Sequence, residues 1–184
     1  MVILASGSPR RKELLGLIFD QFTIIPSSAD ETLSPDTAPD AAVKELAERK
    51  AADVAASHRE DLVIGADTVV YCDGEILGKP ADSKDAERML RLLSGKTHSV
   101  FTGVCLLKDS ENLIFAEETK VTFYPLSDKD ITDYIASGEP FDKAGAYGIQ
   151  GKGTLLVEKI DGDFFNVVGL PASRLAREVK KLSI

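Results

Sequence analysis

The sequence has little of several residue types that define particular protein classes. It contains no tryptophan, two cysteines, two methionines and two histidines in 184 residues. Its 22 lysines and arginines are outnumbered by 30 aspartates and glutamates, which gives a formal charge of −8. No run reaches the ~18–20 uninterrupted apolar residues that a spanning helix needs. These shortages argue against a disulfide scaffold, a membrane span and a broad basic surface for a long nucleic acid.

The remaining composition is that of an ordinary globular domain, with 43% hydrophobic and 28% charged residues. No linker, repeat or low-complexity segment interrupts residues 1–184, so we expect one domain. The basic cluster Arg10–Lys12 follows a short apolar run, whereas a secretory signal places its charges before a long one. We therefore expect a cytoplasmic protein, with Cys72 and Cys105 as buried free thiols.

Strand and helix patterns alternate along the chain, with hairpins between them. Ser8 and Pro9 have the properties of an N-cap and a first helical residue, which predicts a helix through Leu17. Asp73-Gly74 predicts a tight hairpin, and Asp161-Gly162 predicts another between strands Thr154–Ile160 and Phe164–Leu170. Further helices are predicted at 40–57, 82–94, 127–138 and after Pro171, and further strands at 2–5, 62–71, 100–108 and 113–124. This order favours a mixed α/β sheet over a purely parallel one.

The segment Ser6-Gly7-Ser8-Pro9-Arg10-Arg11 has the composition of a phosphate-binding turn. A strand ends in small residues, and a helix then begins with free backbone N–H groups, a hydroxyl cap and two arginines. A capped surface helix with solvated arginines is the alternative, because these ingredients are common.

Two further segments place single charges beside apolar runs. Asp67 directly follows Leu62–Ala66, where a carboxylate is costly unless it is hydrogen-bonded, paired or bound to a metal. It is a candidate metal ligand or general base, and a solvated carboxylate at a strand end is the alternative. Lys79 stands between Gly78 and Pro80, in a turn that could direct its ammonium at a phosphate.

Residues 141–153 combine four glycines with an amide and two lysines, one of which is Lys143. Glycine at this density is typical of tight turns or of close backbone approach to a ligand. The amide of Gln150 offers a donor and an acceptor side by side, as reading a base edge requires. A flexible loop without a ligand is the alternative. His58 and His98 are solitary, which favours structural or solvated roles over a metal site.

Taken together, these segments resemble the Maf family of nucleotide pyrophosphatases. The resemblance covers essentially the whole chain and is carried by the strings LASGSPRRKELL, SADE, ERKA, VIGADTVV, LGKP, LSGKTHSV, EPFDKAGAYGIQGKG and VVGLP, in family order. It implies a twisted mixed sheet flanked by helices, with two lobes around a substrate cleft, as in inosine triphosphatases. It also implies hydrolysis of a nucleoside triphosphate between the α- and β-phosphates, with a divalent cation, Mg²⁺ or Mn²⁺.

The resemblance also implies residue roles. Asp67 corresponds to the catalytic base and, with Glu31, to a metal ligand. The phosphate-handling residues correspond to Ser8, Arg10, Arg11, Lys50, Lys79 and Lys143. The branch that prefers dTTP and UTP has an arginine, a threonine and a glutamine at its specificity positions, which match Arg10, Thr68 and Gln150.

These matches favour a pyrimidine triphosphate as the substrate, and the family resemblance implies a homodimer. Two alternatives remain open: a pyrophosphatase acting on 7-methyl-GTP, and a regulator of septum formation that binds a nucleotide or nucleic acid without cleaving it. The acidic composition argues against nucleic acid as a partner.

Overall fold

The computed structural model describes residues 1–34, 36–109 and 111–182, and it has a mixed α/β fold. The strands are β1 (Val2–Leu4), β2 (Thr23–Ile24), β3 (Leu62–Cys72), β4 (Glu75–Leu77), β5 (Thr97–Lys108), β6 (Glu111–Phe123) and β7 (Val157–Asp161). They form one sheet in the order β2-β1-β3-β5-β6-β7, with β4 paired to β3. β1 runs parallel to β2 and β3, whereas β3 with β4 and β6 with β7 are antiparallel. The predicted mixed sheet is confirmed.

Within the described residues, six α-helices accompany the strands. They are α1 (Pro9–Leu15), α2 (Pro39–Ala55), α3 (Ser83–Leu93), α4 (Asp128–Ala136), α5 (Phe164–Val168) and α6 (Ala172–Val179). Local signals set several of their starts: the Ser8 side chain accepts from the Arg11 backbone N–H, and Ser127 and Asp130 form a reciprocal capping box. The first helix ends at Leu15, earlier than the predicted Leu17.

The chain groups into two compact units. The first comprises Met1–Thr68, Thr102–Glu117 and the chain from Gly169 onward. Its core is formed by Ile3, Ala5, Ala47, Ala51, Val54, Val63 and Cys105.

Helix α2 lies directly on the strands of this unit because two glycines leave room for its backbone. A Cβ on Gly65 would lie 2.2 Å from the Ala47 carbonyl oxygen, and one on Gly103 would lie 2.1 Å from that of Val43. No larger residue fits either position without a shift of the helix.

The second unit comprises Val69–Phe101 and Glu118–Val168. Its core contains four residues of α3: Ala86, Met89, Leu90 and Leu93. His98 is buried there, with its Nε2 2.8 Å from the Tyr147 hydroxyl, and burial lowers its pKa to about 4. His98 therefore has a structural role in this core, one of the two roles predicted for it from the sequence.

The predicted hairpin across Asp161-Gly162 is wrong. Strand β7 pairs with β6, and the segment after Gly162 forms helix α5. Long-range contacts decide this outcome: the Thr119 hydroxyl donates to the Asp163 carbonyl, and the buried Asn166 amide donates to the Val100 carbonyl and to the Thr119 hydroxyl. The aromatic and β-branched residues of 164–170 are typical of a strand, and nothing local to them reveals these partners.

Two smaller findings complete the fold. Cys72 and Cys105 are buried free thiols, as predicted. No helix within the described residues is long and apolar enough to cross a membrane.

Candidate active site

Arg11 connects three segments of the first unit. Its Nε donates to the Gly169 carbonyl at 2.9 Å, Nη1 to the Ser6 hydroxyl at 3.3 Å and Nη2 to the Thr68 hydroxyl at 3.0 Å. Burial holds the pKa of Arg11 below its ordinary value, and the negative charges of Asp67 and Glu31 offset part of this lowering. The guanidinium therefore lies within the electrostatic reach of both acids that the sequence singled out.

Asp67, Lys50 and Glu31 form a compact ionic group. The Lys50 ammonium lies 2.6 Å from Asp67 Oδ1 and 2.8 Å from Glu31 Oε1. The side chains of Lys50 and Asp67 are only 12% and 11% exposed, whereas that of Glu31 is 60% exposed. A carboxylate so deeply placed needs a compensating cation, and Lys50 supplies it.

The fold explains why these three residues meet. Asp67 lies on β3, Lys50 lies on α2, and Glu31 lies on the loop between β2 and α2. Gly65, two residues before Asp67, lets α2 pack flush against β3. The close helix packing thus brings the lysine to the carboxylate.

Thr68 also carries a hydrogen-bond network. Its hydroxyl accepts from Arg11 and lies 2.9 Å from that of Thr102, which is buried on β5. Arg11 is thus in direct contact with the predicted specificity threonine. Arg10 is its neighbour on α1, and the charge of Arg10 lowers the pKa of Arg11.

The residues present fit a divalent cation that keeps part of its hydration. Among the residues described, no group of three or more His, Cys, Asp or Glu could hold a metal ion. The carboxylates of Asp67 and Glu31 both contact the Lys50 ammonium, so the two groups lie close to one another. Mg²⁺ is commonly bound by one or two carboxylates together with waters and substrate phosphates, so this donor set suits it.

The glycine-rich segment of the second unit is held in place by hydrogen bonds. The Glu139 carboxylate accepts from the backbone N–H groups of Lys152 and Gly153 at 3.1 and 3.4 Å, and the Tyr134 hydroxyl accepts from the Gly148 N–H at 3.1 Å. These bonds fix the backbone on both sides of the exposed Gln150.

Two predicted lysines also belong to the second unit. Lys143 is mostly buried, and its ammonium donates to the Glu139 carbonyl at 2.6 Å and to the Asp142 carboxylate at 2.7 Å. Lys79 is exposed and follows Gly78, whose carbonyl accepts from the Gly145 N–H at 3.0 Å. The turn with Lys79 is thereby bonded to the glycine-rich segment.

The first unit therefore brings together five of the predicted site residues: Arg11, Glu31, Lys50, Asp67 and Thr68. Ser8 acts in the structure as the cap of α1. Thr102 was missed, because no local pattern marks a buried threonine on another strand as a partner of Thr68. Ser6 lies in the predicted phosphate-binding segment, and only its contact with Arg11 is new.

A mixed α/β sheet that presents a buried aspartate, two charge-compensating cations and hydroxyl groups has the chemistry of a phosphate-processing enzyme. The comparisons with known proteins agree with this class. The chain belongs to the Maf family, whose model, described as Maf-like protein, matches residues 1–182.

Curated relatives match the chain along nearly its full length. A protein of Bacillus cereus named dTTP/UTP pyrophosphatase is 50% identical over 183 residues, which cover 100% of this chain and 96% of that protein. One of Bacillus cytotoxicus with the same name is 52% identical over 179 residues, covering 97% of this chain and 94% of that protein. Among solved structures, that of the Staphylococcus aureus Ham1 protein matches with a TM-score of 0.49 and 17% identity, over 66% of this chain and 71% of that chain.

Proposed function

We propose that this chain is a nucleoside triphosphate pyrophosphatase that hydrolyses dTTP and UTP to the monophosphate and pyrophosphate. The observation that carries the proposal is the Asp67–Lys50–Glu31 group, with Arg11 within its electrostatic reach. The names of the curated relatives support the same activity and substrates.

In this proposal Asp67 is the general base. It takes a proton from water as the water oxygen attacks the α-phosphorus, and the bond to the oxygen that bridges to the β-phosphate breaks. The pyrophosphate leaves with the bridging oxygen and its electron pair. Lys50 and Arg11 stabilise the negative charge that develops on the phosphoryl oxygens.

A divalent cation, Mg²⁺ or Mn²⁺, would be held by Asp67 and Glu31, and would neutralise phosphate charge. The remaining predicted residues complete the proposal: Ser8, Arg10, Lys79 and Lys143 handle the phosphates, and Thr68 and Gln150 read the base. The Arg11–Thr68 hydrogen bond extends the specificity group to a second arginine. A substrate cleft between two lobes, a homodimer and a cytoplasmic location stay predictions.

The test is pyrophosphate release with Mg²⁺ or Mn²⁺ from a panel of dTTP, UTP, CTP, the purine triphosphates and 7-methyl-GTP. We expect the highest kcat/KM for dTTP and UTP. A ranking led by 7-methyl-GTP or another purine would refute the assignment of substrate. No metal-dependent turnover on any member would refute the enzyme and favour the binding regulator.

Asp67→Asn tests the base. General bases contribute about 10²- to 10⁴-fold to rate, and we expect kcat to fall by that range. Asp73→Asn is the matched control, because Asp73 lies in the exposed hairpin turn at φ 51°, a conformation that asparagine tolerates. Full activity in the Asp67 variant would show that another group takes the proton.

A further inference from the structure

Glu31 lies within residues 25–34, which have no regular secondary structure. Its side chain is 60% exposed, so burial does little to fix its position. A carboxylate that holds a metal ion must nevertheless be directed at one point, and outer-shell partners commonly provide that orientation.

Arg49 holds the backbone on both sides of Glu31. Its Nη1 donates to the Asp30 carbonyl at 3.1 Å and to the Thr32 carbonyl at 2.7 Å. Its Nη2 donates to Glu45, one turn earlier on α2, and this ion pair orients the guanidinium. The helix thus contacts the Glu31 region twice, through the backbone by Arg49 and through the carboxylate by the adjacent Lys50.

We propose that Arg49 is a positioning residue that directs Glu31 toward the metal, acting through the backbone carbonyls of the residues before and after it. The inference rests on the proposed function, in which Glu31 binds a divalent cation. Arginine suits this task because its planar fork donates to several acceptors in fixed directions. A lysine at this position offers one nitrogen and cannot reproduce both the carbonyl contacts and the Glu45 contact in that geometry.

The same loop offers a matched control. Asp53, one turn after Arg49, accepts from the Ser27 hydroxyl and the Ser28 N–H, each at 2.8 Å. These contacts hold the loop upstream of Glu31 and involve neither the Asp30 nor the Thr32 carbonyl. Asp53→Ala therefore measures the effect of loosening the loop in general.

The experiment compares Arg49→Met, Arg49→Lys, Asp53→Ala and Glu31→Gln with the wild-type protein. Binding of Mn²⁺ without nucleotide is measured by electron paramagnetic resonance, and the Mg²⁺ concentration for half-maximal pyrophosphate release from dTTP is measured alongside. Loss of an outer-shell partner typically costs about 10- to 100-fold in metal affinity. We expect that loss in Arg49→Met, a smaller loss in Arg49→Lys, and at most about twofold in Asp53→Ala.

Two further readouts separate positioning from a general structural role. At saturating Mg²⁺, kcat and the KM for dTTP of Arg49→Met should return close to the wild-type values. The double variant Glu31→Gln/Arg49→Met should bind Mn²⁺ no more weakly than Glu31→Gln alone, because Arg49 acts only through Glu31.

The outcomes distinguish the inference from the function on which it rests. If Glu31→Gln weakens Mn²⁺ binding while Arg49→Met does not, or weakens it no more than Asp53→Ala, the inference alone fails. Additive losses in the double variant also overturn it. If Glu31→Gln binds Mn²⁺ as the wild type does, the metal role of Glu31 and the inference fail together.

Discussion

Replacing Gly65 by alanine should damage both stability and activity, because of where the added methyl group would lie. The new Cβ would be 2.2 Å from the Ala47 carbonyl oxygen and 2.8 Å from the Ala51 backbone nitrogen. Ordinary contacts between such atoms are near 3.5 Å, so α2 would have to retreat from β3 by about 1 Å. Both contacts are backbone atoms in the interior of α2, which cannot rotate away as the end of a side chain could.

The size of the effect follows from this displacement. Overpacking of a core costs about 1–3 kcal/mol, and in a protein of this size each kcal/mol lowers Tm by about 2–4 °C. The same shift acts on the 2.6 Å contact between Lys50 and Asp67, since Lys50 moves with the helix and Asp67 stays with the strand. A misplacement of about 1 Å at a catalytic group can cost about 100-fold in rate.

Thermal unfolding and pyrophosphate release from dTTP measure the two effects. Gly78→Ala is the control, because a Cβ there meets nothing within 4 Å and its backbone does not require glycine. We expect the control to keep Tm within about 1 °C of the wild type. If Gly65→Ala also did so and kept kcat within about twofold, the argument that glycine places α2 at the site would be refuted.

Two further predictions concern charge. Lys50→Met removes the cation between Asp67 and Glu31, so we expect it to lower the unfolding free energy by about 1–3 kcal/mol and to abolish most of the activity. Lys44→Met is the control, because Lys44 forms an exposed ion pair on the same helix, and it should cost less than about 0.5 kcal/mol. Equal losses of the two variants in urea titrations would contradict this prediction. Burial lowers the pKa of His98 to about 4, whereas a histidine in the unfolded chain has a pKa near 6.5. Because the unfolded chain binds this proton more tightly, the contribution of His98 to the unfolding free energy should fall by about 3 kcal/mol as the pH drops from 6.5 to 4. Other groups titrate in this window, so the measurement is the difference in pH slope between the wild type and His98→Phe, and equal slopes would show that His98 is not responsible.

Local signals predicted most of the helix starts and turns. The Ser8 cap with Pro9, the Ser127–Asp130 capping box and the Asp73-Gly74 turn all depend on residues within four positions of one another. Such signals act through short-range hydrogen bonds and backbone preferences, which a sequence displays directly. Strand β2 was not predicted, because two residues are too few to show an alternation.

Contacts between distant residues were beyond this kind of inference. The family resemblance identified Lys50, Glu31 and Asp67 as members of one site. The positions of these residues in the sequence do not reveal that the Lys50 ammonium lies between the two carboxylates. The same holds for the Arg11 bond to Thr68, across 57 residues. Asn166 is an example: it lies on a helix where a strand was predicted, and its side chain donates to Val100 and Thr119 in another part of the chain.

The position of Lys50 on α2 explains how one side chain reaches both acids. At about 100° per residue, the sheet-facing positions Val43, Ala47, Ala51 and Val54 occupy one stripe of the helix. Arg49 and Asp53, whose side chains bond the loop before α2, lie together on another face. Lys50 lies angularly between that face and the stripe, so its stem extends along the edge of the packed surface. From this edge its ammonium can contact Asp67 on the strand and Glu31 on the loop at once, whereas a lysine one position earlier or later would face only one of them.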